Sequence, residues 1–306
     1  MKKYNTILTI FILYLIANMV IFPQLYISQT FNGISAWAIN VLPSILPFMI
    51  FAKLITNLGA TKRWARAFQR PCKRLFNTPS QSAFVFLTSI ISGYPIGSTM
   101  TAELYERGEI SQTEAFRMSS FCSTSGPMFI IGAVGISMLH NAIYGYIIFL
   151  SHALGAIING ILYRNLTTSL NSLLPPKTLK KDRLDISNLI LDSSLSVISV
   201  GAIIAIFFVV ITSLSPIFNL LPETISCVLK GMIEITHGCL DISSVICNKW
   251  SVVACTFVVS FGGLSTIIQS MTMLEKIKMP AKLFCRQKLT HAIFSAIIAF
   301  AFILFV

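Results

Sequence analysis

Charge is what this sequence has least of. Only 11% of its 306 residues are Asp, Glu, Lys or Arg, while 55% are hydrophobic. A soluble protein is about 25% charged, so this chain has too little charge to cover a water-facing surface. Its hydrophobicity also excludes intrinsic disorder. Acidic residues are scarcest: 11 against 23 basic ones, for a net charge of +12. The seven cysteines are odd in number and include no CxxC pair, and the four histidines form no cluster at metal spacing. Neither a disulfide framework nor a zinc site is expected; most of the cysteines lie in apolar runs, where cysteine packs as a small hydrophobe. No nucleophile–base pair appears, so an enzyme is not expected, and no cofactor is implied. No soluble module is present that would bind nucleic acid.

What the sequence has instead is long apolar stretches, at about 5–23, 34–58, 115–138, 142–163, 188–213, 251–273 and 288–306. Each is near the roughly 20 residues needed to cross hydrocarbon. The first follows Met1-Lys2-Lys3 like a signal peptide, but no small-x-small cleavage site follows it, so an uncleaved first span is expected. Residues 80–102 and 225–240 are apolar but broken by Gly, Pro or charge, and read as re-entrant hairpins. The basic residues then choose an orientation. With the N-terminus inside, 19 of the 23 Lys and Arg fall in or beside inner segments, Lys288 among them at the inner boundary. One, Lys249, falls outside; Lys53, Arg117 and Lys230 lie within apolar stretches. This asymmetry predicts a cytoplasmic N-terminus, seven full spans and an outside C-terminus. The fold class expected is an all-α polytopic membrane protein. The basic segment 62–74, with Trp64 and Phe68, reads as an interfacial helix on anionic lipid headgroups.

This orientation exposes an inverted repeat. A helix, a hairpin and a second helix (34–58, 80–102, 115–138) recur with opposite topology as 188–213, 225–240 and 251–273. The third helix of each set is broken about 11 residues in, at Ser125-Gly126-Pro127 and at Gly262-Gly263. That is roughly 17 Å, near the middle of the bilayer. Paired broken helices of opposite direction mark secondary transporters. Five parts follow: an N-terminal helix and outer loop (1–33), a first repeat with a closing helix (34–163), a basic cytoplasmic linker (164–187), a second repeat (188–273), and a basic loop with a C-terminal helix (274–306).

Four segments carry the candidate chemistry. Gly93, Tyr94, Pro95, Gly97 and Ser98 form a stretch that cannot continue as an ordinary helix. As a hairpin tip it would start a half-helix near Ser98, with free N–H groups suited to an anion or a carbonyl. A kink between packed helices is the alternative. It is not a nucleotide-binding loop, because no Gly-Lys-Ser/Thr follows. Ser123, Ser125 and Gly126 belong to a polar streak that either lines a cavity or packs helix on helix. Gly262, Gly263, Ser265 and Gln269 supply the second break, with Ser265 and Gln269 on one helical face. Glu234, Thr236 and His237 lie in the second hairpin, Glu234, His237 and Asp241 recurring on one face. An acid at membrane depth is costly and usually functional. Glu234 is the candidate for coupling Na⁺ or H⁺; the alternative is a structural pair with Lys230.

Ser92-Gly-Tyr-Pro-Ile-Gly, the run 125–135, Glu234-Ile-Thr-x-Gly238 and Gly262-Gly-Leu-Ser-x-x-x-Gln269 together resemble the sporulation integral membrane protein family (YlbJ, stage V sporulation protein V). That family is part of the nucleoside-recognition or Gate group, and the resemblance covers about residues 34–275. It implies export of dipicolinic acid from the mother cell across the outer forespore membrane of a spore-forming bacterium. The chain departs from the family at Ser123, where Asn is expected, and in a shorter C-terminal region. A nucleoside or other metabolite carrier, or a non-transporting scaffold in spore assembly, stays open. So does the oligomeric state, a homo-oligomer included.

Overall fold

The computed structural model describes residues 2–58, 69–167 and 186–305, and every regular element among them is helical. The chain opens with α1 (Lys2–Ile21) and α2 (Pro23–Ala36), bent by 109° at their junction. The loop expected at 24–33 is therefore helix. Pro23 occupies the first helical turn of α2, where its missing N–H costs nothing and its fixed φ favours helix, so it starts a new helix rather than only ending the old one. The Tyr26 and Ser213 hydroxyls lie 2.9 Å apart, tying α2 to α9 (Ile186–Ser213). Gly33 brings the two backbones together, since a Cβ there would stand 2.8 Å from the Ala205 Cα.

A π-helical turn, Trp37–Val41, leads into α3 (Leu42–Asn57). Next come α4 (Gln81–Ser92) and α5 (Ile96–Glu106), separated by Gly93 at φ 83° and a cis Tyr94–Pro95 bond. A capping box at Ser111 and Glu114 starts α6 (Gln112–Ser119). Residues 121–126 then leave the helix, and the chain resumes as a π-helix, α7 (Met128–Met138). Asn141 caps α8 (Ala142–Leu162). After α9, α10 (Glu223–Ile233) and α11 (Ile235–Val245) are joined by Glu234 alone, in extended conformation. They fold back on each other, because Gly238 packs against the backbone of Gly231 with no room for a side chain. Gly262 (φ 89°) and Gly263 (φ 62°) divide α12 (Trp250–Phe261) from α13 (Gly263–Leu274). The last helix, α14 (Ala281–Ile303), packs along α12 and α8.

Among the described residues three helices are each long and apolar enough to cross a bilayer: Ala142–Leu162, Ile186–Ser213 and the α12–α13 stretch Trp250–Ile277. The bent α1–α2 pair makes a fourth if counted as one. The seven expected spans are thus not seven uninterrupted apolar helices. The stretches at 34–58 and 115–138 are built of shorter pieces, and the stretch at 288–306 begins inside a helix that carries Lys282, Arg286 and Lys288. The distribution of side chains still marks a membrane protein. Ile7, Leu8, Leu13, Val20 and Ile21 of α1 are exposed, as are Leu191, Leu195 and Ile198 of α9 and Ile297 of α14. Ser89, Thr101, Thr124, Ser151, His152, Asn159 and Ser260 are fully buried. In lipid the apolar exterior is solvated by acyl chains, and polar and small residues hold the helices together. Of the segment 62–74 read above as an interfacial helix, residues 62–68, with Lys62, Arg63, Trp64, Arg66 and Phe68, lie outside the described residues, as does the side chain of Lys53; Arg70, Lys73 and Arg74 are exposed on a helical stretch at 69–76.

Candidate functional site

Three of the interrupted places, and the helix that follows the fourth, meet around one pocket. Ser92, Gly93 and Tyr94 reach it from the α4–α5 turn, and Ser125 and Gly126 from the break after α6. Glu234, Ile235 and Thr236 come from the α10–α11 turn, and Thr266 and Gln269 from α13. Val41, Met128, Phe129, Val200 and Ile204 are among its apolar walls. The empty space among these residues, open mouth included, is about 570 Å³.

Glycines permit the convergence. A Cβ on Gly93 would stand 2.9 Å from the Gly126 nitrogen, so the first turn touches the first break backbone to backbone. A Cβ on Gly263 would stand 3.1 Å from the Ile233 carbonyl oxygen, so the second turn meets the second break in the same way. The Tyr94 hydroxyl, donating to the Val259 carbonyl at 3.4 Å, joins the first turn to the helix preceding the second break.

The sequence-predicted residues divide cleanly. Gly93, Tyr94, Ser125, Gly126, Glu234, Thr236 and Gln269 line the pocket. Pro95, Gly97, Ser98, Ser123, Gly262, Gly263, Ser265 and His237 do not, and stand behind or beside it. Gly97 packs against the Cys122 carbonyl; Gly262 accepts a hydrogen bond from the Thr266 hydroxyl. Glu234 is 2% exposed and accepts the His237 N–H at 2.8 Å, so its carboxylate caps α11 while facing the pocket. The alternative ion pair is not made: Lys230 bonds Asp241 at 2.8 Å, and Asp241 also lies 3.5 Å from His237 Nδ1. The Gln269 side-chain nitrogen is buried in the pocket wall without a hydrogen-bond partner. A buried amide donor left unpaired costs about 1–3 kcal/mol.

Sequence reasoning missed the layer behind the pocket. Lys288, placed above at the inner boundary, is 2% exposed and inside the protein. Its ammonium donates to the Tyr94 hydroxyl at 2.6 Å and to the Ser123 carbonyl at 2.9 Å. His152 Nε2 accepts the Ser125 N–H at 2.9 Å, which leaves the proton on Nδ1 to donate to the Ser260 hydroxyl at 2.8 Å. One imidazole thus braces both broken helices. His291 lies against the His152 ring and carbonyl. A signal was present: Lys288, His291 and Ser295 recur at i, i+3 and i+7 in an apolar run, on one face of α14.

The first break is held open by side chains of α8 and α14. Asn159 donates to the carbonyls of Ser120 and Gln287 and accepts from Thr290; Gln287 donates to the Phe116 carbonyl. Asn159→Leu keeps the volume and leaves the Ser120 carbonyl unpaired. A loss of about 1–3 kcal/mol is expected, read as a lower thermal midpoint of the protein in detergent.

Residues 38–142 match the family described as nucleoside recognition, or Gate. The chain is 35% identical over 167 residues to the sporulation integral membrane protein YlbJ of Bacillus subtilis (strain 168). The match covers 54% of this chain and 41% of that protein, so it reaches about two fifths of the relative's length. Both findings support the assignment to the sporulation integral membrane protein family made from the four motifs. No solved structure matches the chain.

Proposed function

We propose that this Gate-domain chain, with its likeness to a sporulation integral membrane protein, is a secondary transporter of a small planar carboxylate. One observation carries the reading: two helix turns, the first helix break and the helix that follows the second break, far apart in sequence, line a single pocket. Non-helical backbone inside a membrane protein is tolerated only against protein or a solvated cavity, and discontinuous helices are how carriers build a solute site at that depth.

The repeat supports a mechanism. The unit α3, α4–α5, α6–α7 corresponds to α9, α10–α11, α12–α13, with opposite topology if the N-terminus is cytoplasmic as the basic residues require. In each unit the turn rests on that unit's own break, Gly93 on Gly126 and Ile233 on Gly263. Each turn and break would then move together as one wall, exposing the pocket first to one side and then to the other. Tyr94 would stack on a planar ring, the Gln269 amide and Ser125 hydroxyl would donate to carboxylate oxygens, and Glu234 would take the coupling Na⁺ or H⁺. Dipicolinic acid, moved from the mother cell across the outer forespore membrane, is the solute the family resemblance implies. Arg70, Lys73 and Arg74 would rest on anionic headgroups.

A second reading, a nucleoside carrier, is favoured by the description of the matched family. The test is uptake into proteoliposomes holding the full chain, with labelled dipicolinate and a panel of nucleosides, under imposed Na⁺ and H⁺ gradients. Saturable, gradient-dependent dipicolinate uptake is expected. Uptake of nucleosides alone replaces the substrate, and no flux of either supports a scaffold.

A further inference from the structure

Among the described residues one Lys or Arg, Lys288, and one carboxylate, Glu234, are buried. Glu234 faces the pocket, and Lys288 does not. Lys288 comes from α14, outside both repeats, yet it touches three of the four interrupted places. Its Nζ is 2.6 Å from the Tyr94 hydroxyl and 2.9 Å from the Ser123 carbonyl, and a Cβ on Gly262 would stand 3.3 Å from its Cε. No Asp or Glu among the described residues pairs with it. A buried charge with only neutral partners is costly, and an anion nearby offsets that cost. Tyr94 links this charge to the pocket: the residue is part of the pocket lining, while the ammonium sits at its hydroxyl, 4.7 Å from the ring centroid. Among the described residues the Glu234 carboxylate is the opposing charge in the pocket wall; Lys230 pairs with Asp241, His237 lies 3.5 Å from the Asp241 carboxylate, and these three are partly exposed.

We propose that Lys288 is a positioning residue that makes the pocket select anionic over neutral solutes, acting through Tyr94. The inference rests on the reading of the pocket as a solute site. A planar solute stacked on the pocket side of Tyr94 lies roughly 8 Å from Nζ, where a unit charge at an effective dielectric near 20 changes affinity on the order of tenfold or more. The hydrogen bond to the Ser123 carbonyl fixes the ammonium against the first break, so the charge and the tyrosine ring are presented as one unit.

The experiment is equilibrium binding to the full chain in detergent, using pyridine-2,6-dicarboxylate and its uncharged isostere pyridine-2,6-dicarboxamide. The wild type is expected to favour the dicarboxylate by about tenfold or more. Lys288→Met is expected to bring the two affinities to within about twofold by weakening the anion alone, and Lys288→Arg to keep the preference. Four results overturn the proposal: a wild type that binds neither ligand or shows no preference, a Lys288→Met protein with the wild-type ratio, equal weakening of both ligands, or loss of the ratio in Lys288→Arg. If Lys288→Met yields no folded protein, Tyr94→Phe carries the test. Freeing the ammonium from the phenol is expected to lower the ratio about threefold, and an unchanged ratio overturns the proposal. The expected ratios without flux in vesicles leave Lys288 its role and remove the transport reading. Dipicolinate flux together with an unaltered Lys288→Met ratio does the reverse.

Discussion

Gly97→Val is expected to abolish recovery of folded protein: detergent extracts should give aggregate rather than a monodisperse peak in size exclusion. Gly97 lies in the first turn of α5, and the Cys122 carbonyl oxygen occupies the space a Cβ would need. The Ser89 hydroxyl and the Cys122 carbonyl carbon crowd the same place at 2.7 and 2.8 Å. The obstacle is backbone, and that backbone cannot yield. Around Cys122, Ser120 is held by Asn159, Ser123 by Lys288, Thr124 by Ser89 and Ser125 by His152. Relief would require breaking several buried hydrogen bonds together. A penalty of at least about 4 kcal/mol follows, against a typical total stability of about 5–15 kcal/mol. Gly132 is the control. Nothing lies within 4 Å of a Cβ there, so Gly132→Ala should shift stability by no more than about 0.5 kcal/mol. A Gly97→Val protein that elutes and melts like wild type would show that α5 does not rest on the first break.

The interruptions of the fold were readable because Gly and Pro punctuate an apolar helix by local chemistry. Gly93 and Gly262 take positive φ, which disfavours any side chain, and both sit at the places predicted. The second hairpin was readable in outline only. Its turn falls at Glu234, whose carboxylate caps the next helix, and Gly238 serves instead as the crossing point against Gly231. What joins the four places was not readable. Tyr94 and Val259 are 165 residues apart, and no periodicity in a single chain encodes that contact. Lys288 shows the opposite failure. It follows Lys276, Lys278, Lys282 and Arg286 so closely that counting charges by segment assigns it to the inner surface. Helical geometry separates it from them, because α14 turns Lys288, His291 and Ser295 inward and leaves Lys282 exposed. Pro23 closes the apolar stretch 5–23, and proline ends helices. It equally starts them, and which occurs depends on where the following residues pack, here against Ser213 and Ala205 of α9.

Glu234→Gln is expected to cut gradient-driven uptake in proteoliposomes by about tenfold or more while leaving the protein folded, the size of effect that follows from removing a charge at membrane depth. The substitution is informative because Glu234 does two jobs. Its carboxylate caps α11 through the His237 N–H, and it is the one buried acid in the pocket wall among the described residues. Gln keeps a carbonyl oxygen for the cap and removes the charge; Glu234→Ala removes both and should lose a further ~0.5–2 kcal/mol of stability. Comparing the two separates capping from coupling. The charge balance gives a second, opposite readout. With Glu234 neutral, Lys288 is the single buried formal charge left near the pocket, so an anionic solute should bind more tightly, by on the order of tenfold, even as its gradient-driven flux falls. Tighter binding with slower transport is not what a damaged fold produces, since misfolding weakens both. If Glu234→Gln instead carries solute at the wild-type rate with unchanged Na⁺ and H⁺ dependence, Glu234 is a helix cap alone, and the coupling ion must be held elsewhere.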